Sequence, residues 1–184
     1  MANNNITYAD FKNIELAKGE RCDLIGGELY RKPALPEYHQ SILDKLYRQI
    51  TEFFENKTVK AFSAPVNIRI LYKEDDSDDT VLMPDIAVFC DPKNCSPQVC
   101  RGAPDFIAEI ITPIVSASEL EMKIQLYHQS GVREYWVIDP GRKILNIYNF
   151  WDDIIFPKYY NEKDFAVIGV SEDFKVFLGP LFAE

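Results

Sequence analysis

The sequence predicts a mixed α/β fold, a β-sheet flanked by helices with a β-hairpin near the N-terminus. Three observations point there. An early Gly-Gly pair separates two short strand-like runs. Two segments repeat apolar residues at helical spacing. The remaining apolar runs are short, rich in Val, Ile and Phe, and bounded by Pro, Gly or Asp. At 184 residues, a single domain spanning 1–184 has enough chain to bury its own core.

The elements follow in order. "CDLIGGELYRK" reads as two strands about a Gly26-Gly27 turn. Pro36 suits a first helical turn, and "EYHQSILDKLYRQITEFFEN" sets Ile42, Leu46, Ile50, Phe53 and Phe54 on one helix face. Strand-like runs come next: "TVKAFSA", "VNIRILY" with Val66, Ile68 and Ile70 alternating with Asn67 and Arg69, "TVLMPDIAVFC" and "DFIAEII". A second helix is predicted over "SASELEMKIQLYHQS", stopped by Gly131. "REYWVID" and "KILNIYNF" flank the turn "PGR", and the tail "FAVIGVSEDFKVFLGPLF" is expected to add one or two strands that close the sheet. No Gly-x-Gly-x-x-Gly follows a strand, which excludes a dinucleotide fold.

A net charge of −9 argues against holding nucleic acid by bulk electrostatics. Five of the acids lie in "EDDSDD", Glu74 to Asp79, read as a solvated loop; it lacks the Gly and terminal Glu of a calcium loop. Cys22, Cys90, Cys95 and Cys100 lack paired zinc knuckles, and neither His39 nor His128 is near them in sequence, so free thiols are expected. No apolar run is long enough for a membrane span, and "MANNNITYADFKN" has no signal-peptide pattern. A cytoplasmic protein without a membrane partner is the expectation.

Two acids stand inside apolar strand-like runs, Asp85 in "VLMPDIAVFC" and Glu109 in "GAPDFIAEIITP". Alternation puts Glu109 on the face of Ile107 and Ile111, and Asp85 on that of Met83, Ala87 and Phe89. If the two strands pair in register, the carboxylates project to the same side. Two such groups in apolar surroundings are costly unless one is protonated or a cation joins them. Mg²⁺ suits, being held by one or two carboxylates plus waters; the alternative is that each acid pairs with an arginine or caps a backbone end. On the second helix, at about 100° per residue, Lys123 falls inside the apolar arc between Leu126 and Tyr127. It either snorkels to the edge or reaches toward the acids. Two acids, a lysine and a divalent ion form a phosphodiester-cleaving constellation.

The ordered segments "DLIGGELYRKPALPEYHQSI", "PDIAVF", "GAPDFIAEIITP", "KIQLYHQSGVREYWVIDP" and "DFKVFLGPLF" together resemble the Uma-type endonuclease family of the PD-(D/E)XK nuclease superfamily. The resemblance covers nearly the whole chain. It implies a restriction-endonuclease-like fold and a nuclease hydrolysing DNA phosphodiester bonds with Mg²⁺ or Mn²⁺. It sets the first superfamily acid on Asp85 and the second on Glu109, with Ile110 completing the metal ligands. The superfamily lysine would fall on Ile111, where it is absent, and Lys123 is its counterpart from the following helix. Glu28 matches an upstream acid of the family and His39 its histidine after the hairpin. The family often has Asp where this chain has Gly26, and Ser where it has Thr112. Many restriction-like nucleases dimerise, and a homodimer is expected. Arg31, Lys32, Lys57, Lys60, Arg69 and Lys73 are the cations expected to meet DNA. The alternative is a catalytically weak nucleic-acid-binding or regulatory module that retains the nuclease fold.

Overall fold

The computed structural model describes residues 5–151 and 155–183. A short helix α1 (Tyr8–Phe11) precedes the hairpin of β1 (Arg21–Ile25) and β2 (Glu28–Lys32). Gly26 and Gly27 have φ of 58° and 80°, the two positive values of a type I′ turn, whose twist matches that of its strands. Helix α2 (Glu37–Phe53) follows, with Pro36 at its N-cap, then β3 (Lys60–Ser63), β4 (Asn67–Arg69) and β5 (Ile86–Phe89). After a 3₁₀ turn at Pro92–Asn94 come β6 (Val99–Arg101), β7 (Phe106–Ile110), α3 (Ala117–Gln129), β8 (Glu134–Asp139) and β9 (Ile144–Asn149). The chain closes with β10 (Lys158–Asn161), β11 (Phe165–Val167), β12 (Lys175–Phe177) and α4 (Leu178–Phe182).

Six strands form the central sheet in the order β10-β9-β8-β7-β5-β3. Within this sheet, among the described residues, β7 and β8 are the one parallel pair, and α3 is their crossover. Ser116 caps α3 by accepting the Glu119 N–H. Its far end closes on Gly131, φ 90°, where the Gly131 and Val132 N–H groups donate to the carbonyls of His128 and Tyr127.

Strand alternation divides the core between the two sheet faces. Ile86, Val88, Phe106, Ala108 and Trp136 pack with Ile42, Leu46 and Ile50 of α2. Ala87, Phe89, Ile107, Tyr135 and Val137 pack on the other side with Tyr127 of α3 and Ile68 of β4. Glu109 belongs by parity to the α3 face.

Three sequence expectations need correction. The tail does not close the sheet: β11 and β12 pair with each other, and their alternating burial lays Ala166 and Val176 on the α2 core. The added edge strand is β10, which was not anticipated. "VNIRILY" does not alternate between core and solvent, because Arg69 is as buried as its apolar neighbours. Nor is "EDDSDD" simply solvated, since Asp78 is fully buried against Arg69.

Candidate active site

Five pieces of chain converge at one end of the sheet. The tight hairpin sets Arg21 opposite Lys32 and Asp23 opposite Tyr30, so these four side chains share one face. The other face buries Cys22 and Leu24 against Phe11 and Val81. His39 is in the first turn of α2. Asp85 stands one residue before β5, and Glu109 is in β7. The register runs Ile86 opposite Ala108, so the next place along sets Asp85 opposite Glu109. Lys123 and Tyr127 are one turn apart on α3, both buried.

Asp85 accepts from Arg21 Nη1 on Oδ1 (2.6 Å) and from the Ile110 N–H on Oδ2 (2.7 Å). His39 Nε2 lies 3.1 Å from Oδ2, but the ring is not aligned for a good hydrogen bond, and neither of its nitrogens has another partner. Both oxygens of Glu109 accept from Lys123 Nζ at 2.7 Å, and Oε1 also accepts from the Tyr127 hydroxyl at 2.5 Å. Asp23 joins the cluster from β1: it accepts from Lys32 Nζ and the Met83 N–H, each at 2.8 Å, and sits 3.3 Å from Lys123 Nζ. Lys123 therefore bridges Asp23 and Glu109.

These contacts set the charge states. Burial opposes ionisation of Asp23, but Lys123, Lys32 and the Met83 N–H outweigh it and hold the carboxyl down to about 2. Asp85 is likewise buried, yet His39, Arg21 and the Ile110 N–H hold it below the ordinary carboxylate range. Burial works against the Lys123 ammonium, and Asp23 and Glu109 more than offset it, raising its pKa. Burial and the Glu109 charge push the Tyr127 phenol well up. Asp23 and Asp85 are thus held as carboxylates, beside a permanent ammonium at Lys123 and a neutral phenol at Tyr127.

Asp85, Glu109, Ile110 and Lys123 line a cavity of about 410 Å³, the size of a ligand site. Arg21, Arg31 and Lys32 also reach it, and its walls are the segments 33–36 and 111–115. The fold thus gathers Asp85, Glu109, Lys123 and His39, with His39 behind Asp85 rather than in the cavity wall. Glu28 is not brought there. It shares the hairpin face with Asp23 but stands at the turn end, exposed, with its carboxylate 3.4 Å from the Tyr30 hydroxyl. The acid from this segment that enters the cluster is Asp23. It opens "DLIGGELYRKPALPEYHQSI", one of the segments that carry the family resemblance, and that place is the signal that could have found it. Tyr127 had a signal too, its place beside Lys123 on the helix face. Lys32 was among the cations expected to meet DNA, whereas Arg21 needed the hairpin register.

The donor set fits a hard divalent cation. Asp85 and Glu109 offer carboxylate oxygens from adjacent strands, the donor type such an ion takes, and the Ile110 N–H donates to Asp85. No group of three or more His, Cys, Asp or Glu is clustered to hold a metal among the described residues, so the set does not resemble a closed zinc site.

The profile of the Uma2 family, described as "Putative restriction endonuclease", matches residues 8–154. No curated protein matches this chain. Among solved structures, the crystal structure of a putative nuclease of DUF820 from Anabaena variabilis ATCC 29413 superposes with a TM-score of 0.75 at 20% identity, covering 96% of this chain and 97% of that one. The two share a fold: a central mixed sheet flanked by helices, with an N-terminal antiparallel hairpin.

Proposed function

We propose, on the premise that this chain belongs to the Uma2 family, that it is a metal-dependent nuclease hydrolysing DNA phosphodiester bonds. One observation carries the reading: Asp85 and Glu109 stand opposite each other in the register of β5 and β7, facing one open cavity that also receives Lys123. Asp85, Glu109 and the Ile110 backbone would hold Mg²⁺ or Mn²⁺. When bound, such an ion supplies an activated water and neutralises a phosphate oxygen. The chain's own residues do the rest. Lys123, fixed by Asp23 and Glu109, places a permanent positive charge where the phosphorane develops negative charge. Arg21, which lines the cavity, meets a phosphate oxygen. Tyr127 orients Glu109 through its hydroxyl, and His39 backs Asp85 from 3.1 Å. In the reaction, water oxygen bonds to phosphorus and the ester P–O bond breaks. One water proton passes to solvent, and the leaving alkoxide takes up a proton. Glu28 is assigned no role, because its carboxylate stays at the hairpin turn.

A second reading, a nucleic-acid-binding or regulatory module without turnover, is favoured by one observation. Each acid already has an internal cation, Arg21 on Asp85 and Lys123 on Glu109. The deciding experiment incubates wild type, Asp85→Ala and Glu109→Ala with circular single-stranded DNA and plasmid in Mg²⁺, Mn²⁺ or EDTA. The nuclease reading expects cutting by the wild type with metal only and none by the variants. DNA binding without cleavage of either form would favour the second reading. Cleavage that survives both substitutions would exclude this site as its source.

A further inference from the structure

The cavity that holds the proposed metal site has walls unlike those of a duplex-binding groove. Its lining includes Leu35 and Pro36 from the segment after β2, and Pro113, Ile114 and Val115 from the segment after β7. Ile114 is 67% exposed at the rim, an apolar side chain presented where a backbone-gripping surface would present a cation. Asp85 and Lys123 lie at the floor, each 2% exposed. A phosphate on the outside of a stacked duplex has its sugars and bases packed behind it, and its bases are not free to meet these apolar side chains. A nucleotide free of its stack can lay its base against them.

The positions of the cations point the same way. Lys57 lies just beyond the C-terminal end of α2, over the Phe53 ring at 3.6 Å, while His39 marks the site end of that helix. Lys60 pairs with Phe89, the end of β5 remote from Asp85. Arg69 is buried against Asp76 and Asp78, and Lys73 sits in the same acidic loop, reaching the Ser77 carbonyl. Of the six cations expected to meet DNA, Arg31 and Lys32 reach the cavity. They are opposed by Glu20, Asp23 and Glu119. Duplex affinity without sequence contacts grows with the number of phosphates neutralised, and a chain of net charge −9 adds repulsion at longer range.

Resting on the nuclease reading, we propose that the substrate class is an unpaired DNA strand. One nucleotide enters the cavity with its base and sugar against Leu35, Pro113 and Ile114, its phosphate at the floor, and a flanking phosphate at Arg31 and Lys32. Duplex is cut where it is frayed, gapped or tailed.

The test uses the full chain with Mn²⁺ and one labelled sequence in three forms: single strand, blunt duplex, and duplex with an unpaired tail. Bis(p-nitrophenyl) phosphate, a small diester with no duplex to exclude, is assayed in parallel. The expected result is a kcat/KM for the single strand, and cutting within the tail, at least about 10-fold above blunt duplex, the scale of one base–side-chain stack. In Leu35→Ala/Ile114→Ala, a half-buried and an exposed position, that preference should fall toward unity. Equal or faster cutting of blunt duplex overturns the proposal, and hydrolysis of the small diester then leaves the nuclease reading standing. A preference unchanged in the double variant also overturns it, because the walls would not be its cause. If neither DNA nor the small diester is hydrolysed, the nuclease reading falls and this proposal falls with it.

Discussion

Asp78 and Asp85 come from the same stretch of chain and both are buried, yet they belong to two different kinds of charge cluster. Asp78 accepts from Arg69 Nε at 3.0 Å and from its Nη2, while Asp76 takes Nη1 at 2.8 Å and Lys12 at 2.8 Å. Tyr8 and Tyr72 cover the guanidinium, with ring centroids 3.8 and 4.6 Å from Cζ. That cluster buries Arg69 and Asp78, with donors matched to acceptors and aromatic rings over the guanidinium, while Asp76 and Lys12 face solvent and no ligand-sized cavity among the described residues is lined by them. The cluster of Asp23, Asp85, Glu109 and Lys123 is equally well compensated but opens on a cavity. It also leaves Arg21 Nε and both His39 nitrogens without well-formed partners. A buried carboxylate in an apolar run is therefore no mark of function by itself. Access to a ligand-sized space and surplus hydrogen-bonding capacity are what separate the two.

The comparison can be broken first at the Arg69 cluster. Asp78→Ala removes the fully buried partner of Arg69 and leaves it Asp76 and the Lys73 carbonyl, and the expected loss is about 3 kcal/mol. For a chain of this size that lowers Tm by roughly 10 °C, read by calorimetry. Mn²⁺ affinity measured below the transition should not change. If Asp78→Ala instead removed Mn²⁺ binding while Tm held, the two clusters would have to exchange roles.

Glu109→Gln reverses that pattern. The amide oxygen can still accept from Tyr127 and Lys123, and Lys123 keeps Asp23, so the Tm loss should be smaller than that of Asp78→Ala. DNA cleavage should fall by about 100-fold or more, the scale of losing one transition-state-stabilising group. Cleavage within a few-fold of wild type would remove Glu109 from the proposed centre.

The open cluster also predicts a pH dependence. Asp23 titrates at about 2 in the fold against its ordinary 3.8. A folded pKa lowered in this way gives stability that is complete above the unfolded value and is lost as pH falls through the folded one. The amount is about 2 kcal/mol, and Asp85, also held low, adds with the same sign. Urea melts at stepped pH should lose that stability between roughly pH 5 and 2, and Asp23→Asn should flatten the acid limb. An unchanged limb in Asp23→Asn would mean that Lys123 and Lys32 do not act on it as described.

The smallest effect belongs to the aromatic cover. Tyr8→Leu keeps apolar bulk over Arg69 but removes the ring face, and should cost about 1 kcal/mol. A loss as large as that from Asp78→Ala would make Tyr8 part of the ionic closure itself.

Much of this was legible in the sequence, for local reasons. The Gly26-Gly27 hairpin, the α2 face and the Ser116-to-Gly131 limits of α3 are encoded within a few residues of where they act. The pairing of Asp85 with Glu109 followed from strand parity, and Lys123 from the helical angle. What escaped depended on contacts between distant segments. Arg69 reads as the polar member of an alternating strand, and only the return of the 76–78 loop over it makes it core. Glu28 and Asp23 share one hairpin face, and the choice between them rests on which end of the hairpin α3 approaches. The tail has the alternation of a sheet strand, but nothing local says which sheet it joins.

The account's central claim is that Asp85 and Glu109 form one cation site, and a calorimetric Mn²⁺ titration of wild type, Asp85→Ala and Glu109→Gln tests it most directly. The account predicts one site in the wild type that is lost in both variants, while Asp78→Ala keeps it. Mn²⁺ binding of equal strength in all four proteins, or in none of them, would contradict it and return the two acids to the same structural role as Asp78.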